Sequence, residues 1–491
     1  MKIREVIKEI NLKQIQRWTL FGIVIGIVSG FAAVLFYMGI SAFSHYIFGG
    51  ISGYYPPSPS GELSPFTIPQ ASPNIWLLLI LPAAGGLIAG IIIYTFAPEA
   101  EGHGTDAVID AYNNKRGFIR KRVPVIKAIT SVITIGSGGS AGREGPIAQI
   151  GAGFGSALAS FMKLSDRDME SDGLVPAFIS STVAYSIFSS FFGWGHIFAT
   201  PVLSFSRPVE LIFYGFLGIL CAVTVILFVS IFYFLRGRFF RAMSLKPHYK
   251  PAIGGLLVGI IAVFFPHVLG SGYGWIQIAM NGDIVQMSVI LMMALVLLKI
   301  LATSFTIGSG GSGGVFAPSL FIGAMVGGAF GQILTFVFPE IVTQPGGYVL
   351  VGMGAMLAGA AKVPIAAIVM VSEMAGNYNL LAPLMVASTF SYLLSGRWSI
   401  YEKQVENRAS SPAHRREMTV DILERAEVKD AMSTKLIVAR PGDSLEEALK
   451  KLLDRKIGRL PVVDDSDPTK LLGLVTKLDI MKAHARLSAE R

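Results

Sequence analysis

The sequence predicts an all-helical protein that crosses a membrane many times, is built from two related halves, and ends in a small α/β module. Three observations carry that prediction. The 491 residues are 52% hydrophobic and only 15% charged, with a mean hydropathy of +0.58, whereas soluble domains carry about 25% charge. A thirteen-residue text, TIGSGGSAGREGP at 134–146, returns as TIGSGGSGGVFAP at 306–318. After residue 405 the composition turns charged, then alternates short apolar runs with an amphipathic segment.

The elements follow in chain order. Unbroken apolar runs at 17–47, 75–97, 210–235, 250–269 and 284–306 are long enough to cross a bilayer, which takes about 20 residues. Runs at 142–162, 174–195, 318–338, 348–375 and 380–395 are interrupted by Gly, Pro or Ser. The first run is too long for a cleaved signal and reads as a retained helix. Basic clusters in the N-terminal segment, in NKRGFIRKR (114–122) and after the last apolar run place those parts, and both termini, on the cytoplasmic side of what is expected to be the cell membrane. The Pro/Ser-rich stretch 51–73 has one charge, Glu62, and is expected outside. The basic residues flank membrane segments and form no aromatic-basic platform, which excludes nucleic acid as the partner. One cysteine, Cys221, excludes a disulfide framework. No nucleophile–base constellation or metal-ligand cluster emerges among seven scattered histidines, so an enzyme is not expected.

The repeat organises the membrane part. Lys127 pairs with Lys299, Thr134 with Thr306 and Pro146 with Pro318 at a constant offset of 172, with nine of the thirteen motif residues identical. Further on, GLVPAFISSTVAYS (173–186) matches LLAPLMVASTFSYL (380–393) at an offset of 207. Such repeats are common in transporters, usually inverted, with the binding site at their interface. Non-helical backbone survives in a membrane only when buried in protein or lining a polar cavity. A glycine-rich loop running into a helix presents bare N–H groups and the positive end of the helix dipole, which suit an anion. Two such loops meeting at mid-membrane would cradle a dehydrated anion weakly enough to release it. Glu144 is the one acidic residue in either loop, and a carboxylate at that depth costs about 2.5–3.5 kcal/mol. It reads as a titratable mimic of the ion that protonation would release; the other reading is a structural Arg143–Glu144 ion pair.

With GREGP (142–146), GVFAP (314–318) and their TIGSGGS lead-ins, the chain over residues 17–405 resembles the CLC family of chloride channels and chloride/proton antiporters. The resemblance implies a homodimer with one anion pathway per subunit, carrying chloride and protons, with no cofactor required. It implies that Glu144 is the outer gating glutamate. The amides of Val315 and Phe316 would bind a central anion, those around Arg143, Glu144 and Gly145 an outer one, and the Tyr401 hydroxyl would donate to the central anion. Pro146 argues against the fluoride-selective branch. Two departures stand out. The family's first anion loop reads G-S-G-x-P; here Gly102-His103-Gly104-Thr105-Asp106 puts His103 at the serine. His103 either donates an imidazole N–H to the anion or merely begins a helix. Gly270-Ser271-Gly272 is the second-half relic of this loop. The two offsets also differ by 35 residues, so the first half lacks about two helices, the pair matching 348–377. In the family that region holds the antiporters' inner proton-transfer glutamate. That glutamate has no counterpart here: Asp166, Asp168, Glu170 and Asp172 read as a solvated loop, the other reading being a substitute proton path, and Glu373 as structural or interfacial rather than proton-carrying.

The expected division is therefore 1–405 membrane domain, 406–427 charged linker and 428–491 cytosolic module. That module resembles a single CBS motif, with Ser444 and Glu447 forming a capping box. Thr476 and Asp479 match the position where paired CBS motifs hold an adenine nucleotide, or else cap a helix. A lone motif of roughly 60 residues has a small core and would gain stability by pairing across the dimer. The function expected is chloride transport gated by protonation of Glu144, as a channel or weakly coupled exchanger. The contrasting reading is a transport-deficient homologue acting as a nucleotide sensor or scaffold.

Overall fold

The computed structural model describes residues 12–62, 65–67, 69, 72–161, 174–200, 203, 205, 207–283, 285–405, 410–413 and 426–490. The chain divides into two compact units, Met1–His414 and Arg415–Arg491.

The first unit is helical. Its first half contains α1 (Leu12–Ala42), α2 (Ile75–Phe96), α3 (Thr105–Asn114), α4 (Val123–Gly136), α5 (Glu144–Phe161) and α6 (Leu174–Phe192). The second half contains α7 (Glu210–Phe234), α8 (Lys250–Phe264), α9 (Tyr273–Met280), α10 (Val289–Gly308), α11 (Phe316–Val337), α12 (Pro345–Ala361), α13 (Pro364–Ala375) and α14 (Leu381–Leu394). Among the described residues six helices are long and apolar enough to cross a membrane. The apolar run 348–375 is two helices, because Lys362 adopts a left-handed φ of 60° before Val363-Pro364.

The repeat in the text is a repeat in space. Helix α1 packs along α6 and α7 along α14; α2 and α8 cross between the halves. At that crossing the contact is reciprocal: Gly86 faces the Pro251 carbonyl and Gly255 the Pro82 carbonyl, each too closely to admit a Cβ. Lys127 and Lys299 are fully buried and do the same task twice. The Lys127 ammonium donates to the Ala100 and Gly102 carbonyls at 3.0 and 2.7 Å. Lys299 donates to those of Val268 and Gly270, both at 2.8 Å. A buried ammonium must be satisfied by hydrogen bonds, so each lysine pins the turn that leads into a short helix, α3 or α9. The relic Gly270-Ser271-Gly272 is thus built like Gly102-His103-Gly104, with positive φ at all four glycines.

The symmetry fails where the offsets predict. Between α11 and α14 lie α12 and α13, with α12 buried from Gly346 to Ala361. Between α5 and α6 lie only residues 162–173, and Asp166, Asp168, Glu170 and Asp172 fall outside the described residues. On α11, a Cβ at Gly323 would lie 2.3 Å from the Gly352 carbonyl and one at Gly327 1.9 Å from the Tyr348 carbonyl, both on α12. Among the described residues their repeat mates on α5 are uncovered: Gly151 has only Ser29 Oγ at 3.7 Å, and Gly155 has nothing within 4 Å.

The membrane unit also reaches into the stretch read as linker. The Ala413 N–H and the Ser411 hydroxyl both donate to the Asn113 carbonyl, at 2.9 and 3.2 Å, which holds residues 411–413 on the end of α3.

The second unit has α15 (Leu445–Asp454), β1 (Arg459–Val463), β2 (Leu471–Thr476) and α16 (Lys477–Ala489). The strands LPVVD and LLGLVT pair antiparallel, and Ala439 bridges to Val462. Ala439, Ala448, Leu452, Leu460 and Ile480 form its small core, while Leu471, Leu474 and Met481 remain exposed. The Ser444–Glu447 capping box is present on α15.

The broken symmetry yields a paired expectation. Gly327→Ala should destabilise by at least about 3 kcal/mol, the upper end for overpacking, and remove the monodisperse species in detergent. Gly155→Ala should be neutral or stabilising by up to about 1 kcal/mol, because alanine is the better helix former. Thermal unfolding of the two variants, followed by size-exclusion chromatography, checks both.

Candidate functional site

The two repeated loops come together at their glycines. Gly142 and Gly314 exchange backbone hydrogen bonds: the Gly142 N–H donates to the Gly314 carbonyl at 2.7 Å, and the Gly314 N–H to that of Gly142 at 2.6 Å. Gly102 joins the same junction, donating its N–H to the Gly311 carbonyl at 2.9 Å. Hydroxyl pairs support it from both halves, Ser131 with Ser312 at 2.8 Å and Ser140 with Thr303 at 3.1 Å. These four residues are two pairs of repeat mates, exchanged across the interface. A Cβ on Gly145 would lie 2.0 Å from the His103 carbonyl and 3.2 Å from Gly314 Cα. Only glycine at 145 lets the three loops approach this closely.

From this junction two helices start, α5 at Glu144 and α11 at Phe316, with Val315 as N-cap. Val315 and Phe316 are buried. Their amides, like those of Arg143, Glu144 and Gly145, sit at helix starts, where N–H groups lack intrahelical acceptors. The Glu144 carboxylate lies between the two starts. Its Oε2 and the Ala317 amide nitrogen lie 2.6 and 3.0 Å from the point where a Cβ on Gly142 would sit. That oxygen is buried and accepts no hydrogen bond among the described residues. The other, Oε1, accepts from the Tyr273 hydroxyl at 2.5 Å. Arg143 Nε is 3.8 Å from the same oxygen, but the Arg143 fork is turned to Glu62, with which it forms a close ion pair. The structure therefore places Arg143 between two carboxylates, rather than in a simple pair with Glu144.

Near the same junction stand His103 and Tyr401. Both are buried, and their ring centroids are 5.4 Å apart. His103 Nδ1 accepts from the Asp106 N–H at 3.4 Å in the first turn of α3, which assigns the ring proton of the neutral imidazole to Nε2. An imidazole that accepts at Nδ1 can still donate at Nε2, so the two readings of His103 do not exclude each other. Tyr401 is positioned by the Ile400 N–H, which donates to the Ala360 carbonyl at 2.9 Å. A cavity of about 590 Å³ opens at His103, lined by Glu101, His103, Gly104, Asp106, Arg236 and Lys403. A second, of about 190 Å³, opens on the side of the Pro/Ser-rich segment, lined by Tyr37, Glu62, Arg143, Gly272 and Tyr273. The two cavities share no lining residue, and the arrangement can hold a small anion at either helix start while the Glu144 carboxylate competes for the space.

The sequence reading missed Tyr273 and the pairing of Glu62 with Arg143. Tyr273 had a signal: it follows Gly272 as Thr105 follows Gly104, so the relic loop aims its next side chain at the site. Glu373 lies at the end of α13, exposed and bonded to the Tyr378 hydroxyl, in keeping with a structural role. In the second unit, Thr476 and Asp479 cap α16 reciprocally: the Thr476 hydroxyl meets Asp479 Oδ2 at 2.6 Å, and the Asp479 N–H meets the hydroxyl at 3.3 Å. The Thr476 hydroxyl and the Thr476 backbone N–H both donate to Asp479 Oδ2 and hold its carboxyl below the usual range.

A model of the voltage-gated chloride channel family matches residues 85–171 and 164–396. Its two stretches meet where the first half lacks two helices. A model of the CBS domain matches residues 428–486. The chain is 30% identical over 369 residues to a ClcB-like chloride channel protein of Ralstonia nicotianae, covering 67% of this chain and 85% of that one. It is 28% identical over 356 residues to the H(+)/Cl(-) exchange transporter ClcA of Vibrio vulnificus, covering 64% and 75%. Among solved structures, a slow cyanobacterial Cl-/H+ antiporter superposes with a TM-score of 0.68 at 20% identity, covering 83% of this chain and 99% of that one; this likeness is one of fold.

If the two rings face an anion, His103→Ala and Tyr401→Phe should each weaken chloride binding about fivefold, the equivalent of one hydrogen bond of about 1 kcal/mol. Isothermal titration of detergent-solubilised protein with chloride measures this. An unchanged affinity for His103→Ala would leave that residue as a helix cap alone.

Proposed function

The chain belongs to the voltage-gated chloride channel family and carries a CBS domain, and on that premise we propose that it moves chloride across the cell membrane by a pathway gated by protonation of Glu144. The observation that carries this reading is the position of Glu144 at the meeting of two helix starts, with one buried carboxylate oxygen near Ala317 that accepts no hydrogen bond among the described residues. Ionised, the side chain fills an anion site; protonated, it loses its attraction to the helix dipoles and yields the place to chloride. The central anion is held by the Val315 and Phe316 amides, the Tyr401 hydroxyl and His103 Nε2–H. The outer one is held by amides around Arg143, Glu144 and Gly145.

The family relatives include exchange transporters, but the first half here lacks the helix pair expected to carry a second acidic group. Transport is therefore uncoupled or weakly coupled to protons. Both termini are cytoplasmic, and the protein works as a homodimer. Its exposed Leu471, Leu474 and Met481 fit the pairing of two CBS domains, one from each subunit. Thr476 and Asp479 then offer a place for a regulatory adenine nucleotide.

Radiochloride uptake into proteoliposomes tests the gate. Wild-type flux should rise severalfold as the pH falls from about 7.5 to 4.5, with proton movement well below chloride movement. Glu144→Gln should conduct at all pH values with no acid activation. Absence of flux at every pH in both proteins would favour the scaffold reading instead.

A further inference from the structure

Arg143 lies next to the gate, yet its fork is committed elsewhere. Its guanidinium is ion-paired to Glu62, flanked by the rings of Tyr37 and Tyr273 at 5.1 and 5.7 Å, and 3.8 Å from Glu144. Glu62 comes from a segment with no other charge between 51 and 73. Tyr37 hydrogen-bonds the same carboxylate. The cluster holds two carboxylates against one guanidinium in a confined cavity, where screening by water is weak. His45, stacked on Phe66, and Tyr55 are the remaining titratable groups lining that cavity.

We propose that Glu62 is a positioning residue of the outer gate: by engaging Arg143 it weakens the guanidinium's hold on ionised Glu144 and so sets the external acidity at which the gate opens. The inference rests on the gating role of Glu144 proposed above and adds a second carboxylate that never contacts the anion. With Glu62 in place, Arg143 is shared and Glu144 is also repelled by a like charge. Without it, the full guanidinium charge falls on Glu144, and a higher proton concentration is needed to release the side chain. Tyr273 holds the Glu144 carboxylate from the second half, so the balance is set on the Arg143 side alone.

The experiment measures chloride flux against external pH in oriented proteoliposomes. Glu62→Gln should move the half-activating pH down by about one unit, a tenfold higher proton concentration, with the flux at the acid limit unchanged. Glu62→Asp should restore most of the wild-type profile. Charge is separated from structure by Glu62→Cys, since the one native cysteine, Cys221, is buried. A sulfonate-bearing thiosulfonate reagent added outside should restore the wild-type midpoint, and a neutral reagent of similar size should not. A midpoint unchanged in Glu62→Gln, equal rescue by both reagents, or flux lost even at the acid limit would overturn the proposal. Glu144→Gln distinguishes the two levels. If it stays acid-activated, the gating reading itself fails; if it is pH-independent while Glu62→Gln keeps the wild-type profile, only the role of Glu62 fails.

Discussion

The pair of hydrogen bonds exchanged by Gly142 and Gly314 is the constraint on which the rest depends. It joins the two halves by backbone alone, without a side chain at either residue. Because the bonded residues immediately precede helices α5 and α11, closing this bridge fixes two helix starts beside each other. The N-terminal amides of both helices, which lack intrahelical acceptors, are thereby brought near one another. The buried hydroxyl pairs, the tight fit of Gly145 on the His103 carbonyl and the two lysine-pinned turns keep that bridge in one geometry. The acidic group set against the two positive dipole ends is Glu144, with Arg143 beside it.

The two halves differ in ways that give direction to a symmetric frame. The first-half turn supplies His103, which lines the wider cavity, and the second-half turn supplies Tyr273, which lines the narrower one and bonds Glu144. One side is a wide cavity lined by both signs of charge; the other is narrow and governed by Glu62 and Arg143. The same duplication explains the uncovered glycines of α5. They are residues suited to a helix neighbour that the second half still has in α12.

Much of this was legible in the sequence because it is local. Unbroken apolar runs gave α1, α2, α7, α8 and α10, and the punctuation of Gly and Pro gave the loop-to-helix starts. The repeat identified Lys127 with Lys299 before any contact was known. The CBS strands and the Ser444 cap were visible as alternation and as a capping text. What stayed hidden is long-range. Nothing near Glu62 in the chain points to Arg143, 81 residues away, and nothing near Glu144 points to the Tyr273 hydroxyl, 129 residues away. Those pairs exist only once the halves have closed. The break inside 348–375 was readable in Lys362-Val363-Pro364, whereas the anchoring of residues 411–413 on Asn113 had no textual sign.

The central claim is that an anion and the Glu144 carboxylate occupy one space between two helix starts. Anomalous diffraction from bromide-soaked crystals locates a bound halide directly. The account predicts a bromide peak beside the Val315 and Phe316 amides in the wild-type protein. It also predicts, in Glu144→Gln, a second peak where the wild-type carboxylate lies. Bromide found only in the outer cavity against Arg143, with none at either helix start in either protein, would contradict it.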